Sequence, residues 1–210
     1  MNKGIGFVVG MLVAGVGCGP ESYHTASVSE SQSAQQVISA AQSIKSSVSQ
    51  GNIPSLSAMA GLGASASMDS IEQPSDSCVT RQTNGAKTTL TLNCTSGADS
   101  EKGSITVNGD SIDLDLHVTG SVTLDETGHL TVSSNAIDGN LSIAVQSADA
   151  SGQKLSASVM LTFSQITLDG SGCPTGGELA SSATVSDGRS ESSSFQVKFG
   201  PACGNVQVAD

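Results

Sequence analysis

Asp110, Asp113 and Asp115 crowd one short stretch and His117 follows them. Hard cations such as calcium take oxygen ligands from several carboxylates at once, so a cation site is the chemistry this group would perform. Alternation, however, puts Asp113, Asp115 and His117 along one strand face. Alternate residues on a strand stand too far apart to converge on one ion without help from a neighbouring strand. No EF-hand spacing is present, and the group reads as a solvated strand face with no metal assigned.

The three histidines, His24, His117 and His129, stand among many serines. A Ser-His-Asp site needs a positioned nucleophile, yet no GxSxG elbow occurs. A hairpin turning at Glu126, Thr127 and Gly128 places His129 opposite Asp125 as an exposed pair. The glycine-rich stretch 170–177, GSGCPTGG, lacks the Lys-Ser/Thr ending of a phosphate loop and reads as a turn tied by a disulfide. No catalytic residue and no cofactor are assigned.

Composition narrows the classes further. A formal net charge of -11, with 8 basic residues thinly spread, argues against nucleic acid and against docking on anionic lipid surfaces. Aromatics make up 2% and tryptophan is absent, so a core has to be built from Val, Ile, Leu and Ala.

Lys3 opens a short positive start, and residues 5–18, IGFVVGMLVAGVGC, are apolar or small. This is the layout of a secretory signal, and the run is short of the roughly 20 residues that span a bilayer. Gly15, Val16, Gly17 and Cys18 resemble the lipobox of bacterial lipoproteins. The resemblance covers residues 1–18 and implies that Cys18 is lipidated and becomes the mature N-terminus. Gly15 departs from the usual leucine of that motif. Gly19 after the cysteine resembles lipoproteins sent on to the outer membrane. Two or more acyl chains anchor a protein stably where one is marginal.

In that oxidising compartment the remaining cysteines, Cys78, Cys94, Cys173 and Cys203, are even in number and read as disulfides. Three pairings exist. Cys78 with Cys94 and Cys173 with Cys203 are favoured, because each pair is nearest in sequence and brackets one candidate hairpin. No CxxC spacing points to a metal site instead.

The elements that position these residues follow from periodicity. Residues 1–17 are the signal and 18–30 a polar tether. In 31–50, Val37, Ala41, Ile44 and Val48 recur at helical spacing, ended by Gly51 and Pro54. Residues 54–77 form a linker with a candidate second helix. From 78 to 210 the period is two. Alternation from Ile112 to Leu124 predicts one long strand, with Asn108-Gly109 as the loop before it and Ile105 opposite Ile112. The loop after it then pairs Leu124 with Leu130 and Val122 with Val132. Parity changes predict a bulge or break near 134–137 and a bulge at Ser164 or Gln165. Eight to ten strands result.

The fold class is therefore mainly β: an antiparallel meander forming a sandwich or partial barrel, with one N-terminal amphipathic helix as cover. The expected function is a non-enzymatic envelope lipoprotein with a structural, adhesion or protein-interaction role. Its partners would be the membrane, through the anchor, and another envelope protein. The alternative is a hydrophobic-ligand binding or carrier lipoprotein, similar in outline to half-barrel lipid carriers of the envelope. Cys18→Ser should move the protein from the membrane to the soluble fraction of the envelope. A wild type that is already soluble would contradict the anchor.

Overall fold

The structure is a computed structural model that describes residues 23–52, 54, 76–120, 122–148, 154–186 and 190–209. Cys18, the signal, residue 53 and the stretch 55–75, with its candidate second helix, lie outside the described residues.

The helix α1 spans Val28–Ser49 and starts earlier than its apolar spacing predicts. The reason is local. Ser27 Oγ accepts the Glu30 backbone N–H, and the Glu30 carboxylate accepts the Ser27 N–H at 2.7 Å, which is a capping box. The hydrogen bond from the Ser27 side chain, with that to its backbone, holds the Glu30 carboxyl below the usual carboxylate range. Ala34, Ile38, Ala41, Ile44 and Val48 are buried and form one stripe at three- and four-residue spacing.

Strands β1 (His24–Thr25), β2 (Val79–Asn84), β3 (Lys87–Ser96), β4 (Asp99–Asn108), β5 (Ser111–Thr119) and β6 (Val122–Val132) make the first part of the sheet with its far edge. β7 (Ala136–Ala148), β8 (Lys154–Leu168), β9 (Pro174–Ser186), β10 (Ser190–Phe199) and β11 (Val206–Ala209) complete it. All are antiparallel in one 11-stranded sheet ordered β1-β11-β10-β9-β8-β7-β6-β5-β4-β3-β2. The sheet is a meander that does not close: β1 and β2 are its edges. The described residues form one sheet rather than the two of a sandwich, and their strand count exceeds the eight to ten expected. Part of the presumed tether belongs to the fold, since His24 and Thr25 pair with Val208 and Gln207.

The predicted register fails in the middle of the chain. The long strand is two, reversing between Thr119 and Val122, and Glu126, Thr127 and Gly128 lie inside β6. Val118 pairs with Leu124, Leu116 with Glu126 and Ile112 with Leu130. Every pair in this hairpin joins two even or two odd positions, so the apolar alternation runs through the reversal unbroken. A pattern that keeps its parity does not betray its turn. The preceding loop is displaced as well, placing Val107, not Ile105, opposite Ile112. The break before Ile137 is a turn, with Ser133 Oγ accepting the Ala136 N–H at 2.9 Å. The bulge at Gln165 is present, with φ 49° and a register shift between Ser164 and Thr167.

One face of the sheet carries the core. Ile112, Leu130, Phe163, Leu179, Val197 and Val208 lie in one cross-strand row and are all buried. Each contributes about 1.5–3 kcal/mol when fully buried. The helix stripe packs on this face, touching β3, β4, β6 and β9. Lys45 donates to Asp110 at 2.5 Å and to the Val132 carbonyl, while Gln42 lies against the β8–β9 turn at Gly172. The turns holding Asp110 and Gly172 are four strands apart, about 19 Å in a flat sheet. One helical turn reaches both because the sheet bends around the helix.

Glycines permit the bend. Gly103 in β4 and Gly139 in β7 have φ of 135° and 126°, and a Cβ would run into the carbonyls of Asp115 and His129. Such kinks inside strands are how a sheet acquires strong curvature.

The two disulfides are Cys78–Cys94, joining the 3₁₀ turn Asp76–Cys78 to β3, and Cys173–Cys203, joining the β8–β9 turn to the β10–β11 turn. Gly139→Ala should destabilise the protein by about 2 kcal/mol or more, through strain and collision. Gly170→Ala, with nothing near its Cβ, should be close to neutral. Equal melting temperatures for the two variants would contradict the kinked-strand account.

Candidate functional site

Along the apolar face the side chains fall into two clusters. The larger includes the helix stripe with Ile112, Leu114, Leu116, Leu130, Leu141, Leu161 and Phe163. The smaller comprises Leu124, Ile143 and Val145, with Val118, Val122 and Val159 packed on it. Between them, on β6, stands Glu126. Its cross-strand partners are Leu116 of the first cluster and Ile143 of the second.

The residue is 1% exposed, and Oε1 has no hydrogen-bond partner. Burial among apolar groups pushes its carboxyl up to about 7, because low-polarity surroundings disfavour the charged form. A buried carboxyl without a partner is costly, and native structures contain few such groups without a reason. One strand over from β5, Glu101 shares the same face opposite Val118, and burial raises its carboxyl too.

The residues singled out from spacing lie elsewhere. Asp113, Asp115, His117, Asp125 and His129 occupy the opposite face, and their pairing differs from the predicted one. His129 Nδ1 meets Asp113 at 2.6 Å, and His117 Nδ1 meets Asp125. Each imidazole thus has a carboxylate directly across the strand, because the hairpin turns earlier than expected. Asp110 pairs with Lys45 at the helix. Asp110 and Asp113 are drawn into separate pairs and Asp115 stands across from Thr127, and among the described residues no group of three or more His, Cys, Asp or Glu side chains is placed to hold a metal.

Residues 174–177 of the glycine-rich stretch open β9, and its first half, residues 170–173, lies in the β8–β9 turn. There the Asp169 carboxylate accepts from the Ser171 hydroxyl, from the Cys173 N–H and from the Ser171 N–H. These bonds, that from the Ser171 side chain first, lower its carboxyl.

Glu126 falls in a loop when the hairpin is set at Glu126, Thr127 and Gly128. The signal that identifies it is parity: Leu124, Glu126, Gly128 and Leu130 continue the inward positions of Ile112 to Val118 once the turn is set between Thr119 and Val122. Compared with protein-family models, curated proteins and solved structures, the chain gives no match.

Since the folded-state carboxyl of Glu126 titrates at about 7 against an ordinary 4.5, the folded protein favours the protonated form. That stability is fully present below pH 4.5 and is lost as pH rises through 7. By pH 8 the loss is about 3 kcal/mol, at about 1.4 kcal/mol per pH decade between the two values. Glu126→Gln should flatten this fall in denaturant titrations between pH 5 and 8, and Glu126→Leu should be the more stable chain at pH 8. Parallel losses in the wild type and both variants would contradict the burial of the carboxyl.

Proposed function

We propose that this protein is a lipid-anchored envelope lipoprotein without catalytic activity, whose β domain binds an apolar, chain-bearing ligand along the inner face of its curved sheet. The Cys18 motif and its leader support the anchor, and the two disulfides fit a compartment outside the reducing cytoplasm. Among the described residues the apolar face of a single bent sheet is covered by α1 and not by a second sheet, which sets it apart from a sandwich.

The observation that carries the reading is Glu126. Ligand sites are mostly apolar with a few placed polar groups that fix orientation. An unpartnered carboxyl between two aliphatic clusters has that form, whereas a purely structural core gains nothing from it and is destabilised by it.

One observation favours a protein-interaction role instead. Strand β2 is a sheet edge, and all of Val79–Asn84 except Val79 is exposed. An added strand from a partner would lie along this exposed strand. The two readings separate by what accompanies the purified protein. Native mass spectrometry of the Cys18→Ser chain isolated from the envelope should show a retained mass of lipid size, displaced by organic extraction. A bare chain mass that instead appears with a stoichiometric protein would favour the edge-strand role.

A further inference from the structure

We infer that the inner face selects an amphiphile bearing a primary ammonium group, with the ammonium bound at Glu126 and the chain lying along Leu124, Ile143 and Val145. This deepens the ligand-binding reading above and rests on it.

The surroundings of Glu126 decide the sign of the head group. Leu116 faces it from β5 and Ile143 from β7, and Leu124 and Gly128 flank it on its own strand, so none of these neighbours is charged. The nearest ionisable group on the same face is acidic, Glu101 on β4, opposite Val118; farther out on that face, four strands away on either side, lie Glu191 of β10 and Arg81 of β2, and His24 stands on the edge strand β1. The basic groups nearby in the fold are committed at other places. Lys45 of α1 is held by Asp110 and the Val132 carbonyl, and Arg81 of β2 donates to the Gly51 carbonyl beyond the end of α1. The remaining acid of the helix, Glu30, is bound in the capping box.

A carboxylate or phosphate head would enter a field of like sign in a chain of net charge -11. A hydroxyl head would give Glu126 one neutral hydrogen bond. An ammonium supplies a charge-assisted bond to the orphaned oxygen, about twice as strong as a neutral one. It also supplies the opposite charge that a buried carboxylate requires.

Binding then moves a proton. With its carboxyl at about 7, Glu126 is largely protonated at pH 6. An arriving ammonium ionises it: the carboxyl O–H bond breaks, the proton passes to solvent, and the carboxylate–ammonium pair remains. One proton leaves for each amine bound at pH 6, and little or none at pH 8.5.

Calorimetric titration of the full-length Cys18→Ser chain with octylammonium, octan-1-ol and octanoate tests this, using buffers of different ionisation enthalpy. The expected result is octylammonium binding roughly ten-fold more tightly than octanol, octanoate most weakly, and proton release confined to the amine. Glu126→Gln should abolish both the preference and the release while octanol affinity persists. Equal affinity for amine and alcohol, or a preference that survives Glu126→Gln, would overturn the head-group assignment and leave apolar binding standing. No binding of any of the three would overturn both. Should Glu126→Gln fail to fold, the affinity ratio and proton count of the wild type decide the matter alone.

Discussion

An antiparallel sheet with one apolar face must remove that face from water, and this chain does so across eleven strands with one described helix and one bend. The constraint accounts for much of what is unusual in the sequence. Most inward positions carry aliphatics, with Phe163, Phe195 and Phe199 as the rings among them, and aromatics are only 2% of the chain. Backbone that bends this far inside strands calls for glycine, and Gly103 and Gly139 occupy such points. The amphipathic helix is fixed at both ends of its role: Ser27 and Glu30 start it, and Lys45 ties it to the β4–β5 turn and the end of β6.

Against that background Glu126 is the one ionisable inward residue of β6, and it is buried, whereas Glu101 of β4 and Glu191 of β10 on the same face are not. Its neighbours on both sides contribute through burial, and it detracts from stability unless it stays protonated or finds a partner. The opposite face shows what an ordinary placement of charge looks like, with each histidine of the β5–β6 hairpin set across from an aspartate. An orphaned carboxyl inside and satisfied pairs outside are the contrast on which the functional proposal stands.

Much of the fold is legible in the sequence because each signal has a single physical meaning. Val37, Ala41, Ile44 and Val48 mark the helix, the parity breaks mark the turn before Ile137 and the bulge at Gln165, and nearest-neighbour cysteines pair as expected. What stays hidden shares one cause. Alternation reports which face a residue occupies and not where the chain reverses, so a hairpin that preserves parity merges two strands into one. That single displacement moved Glu126 from the apolar face into a loop and gave His129 the wrong aspartate. The choice between sandwich and single bent sheet depends on glycine conformations and on long-range pairing, such as β1 with β11, that local pattern does not encode.

The most direct measurement is the titration of the Glu126 side-chain carboxyl by carbon NMR in the isotopically labelled protein, with Glu126→Gln identifying the resonance. The account predicts a midpoint near 7 and a downward move when octylammonium is added. A midpoint near 4.5, unchanged by the amine, would mean that the carboxyl is solvated and that the apolar face holds no site.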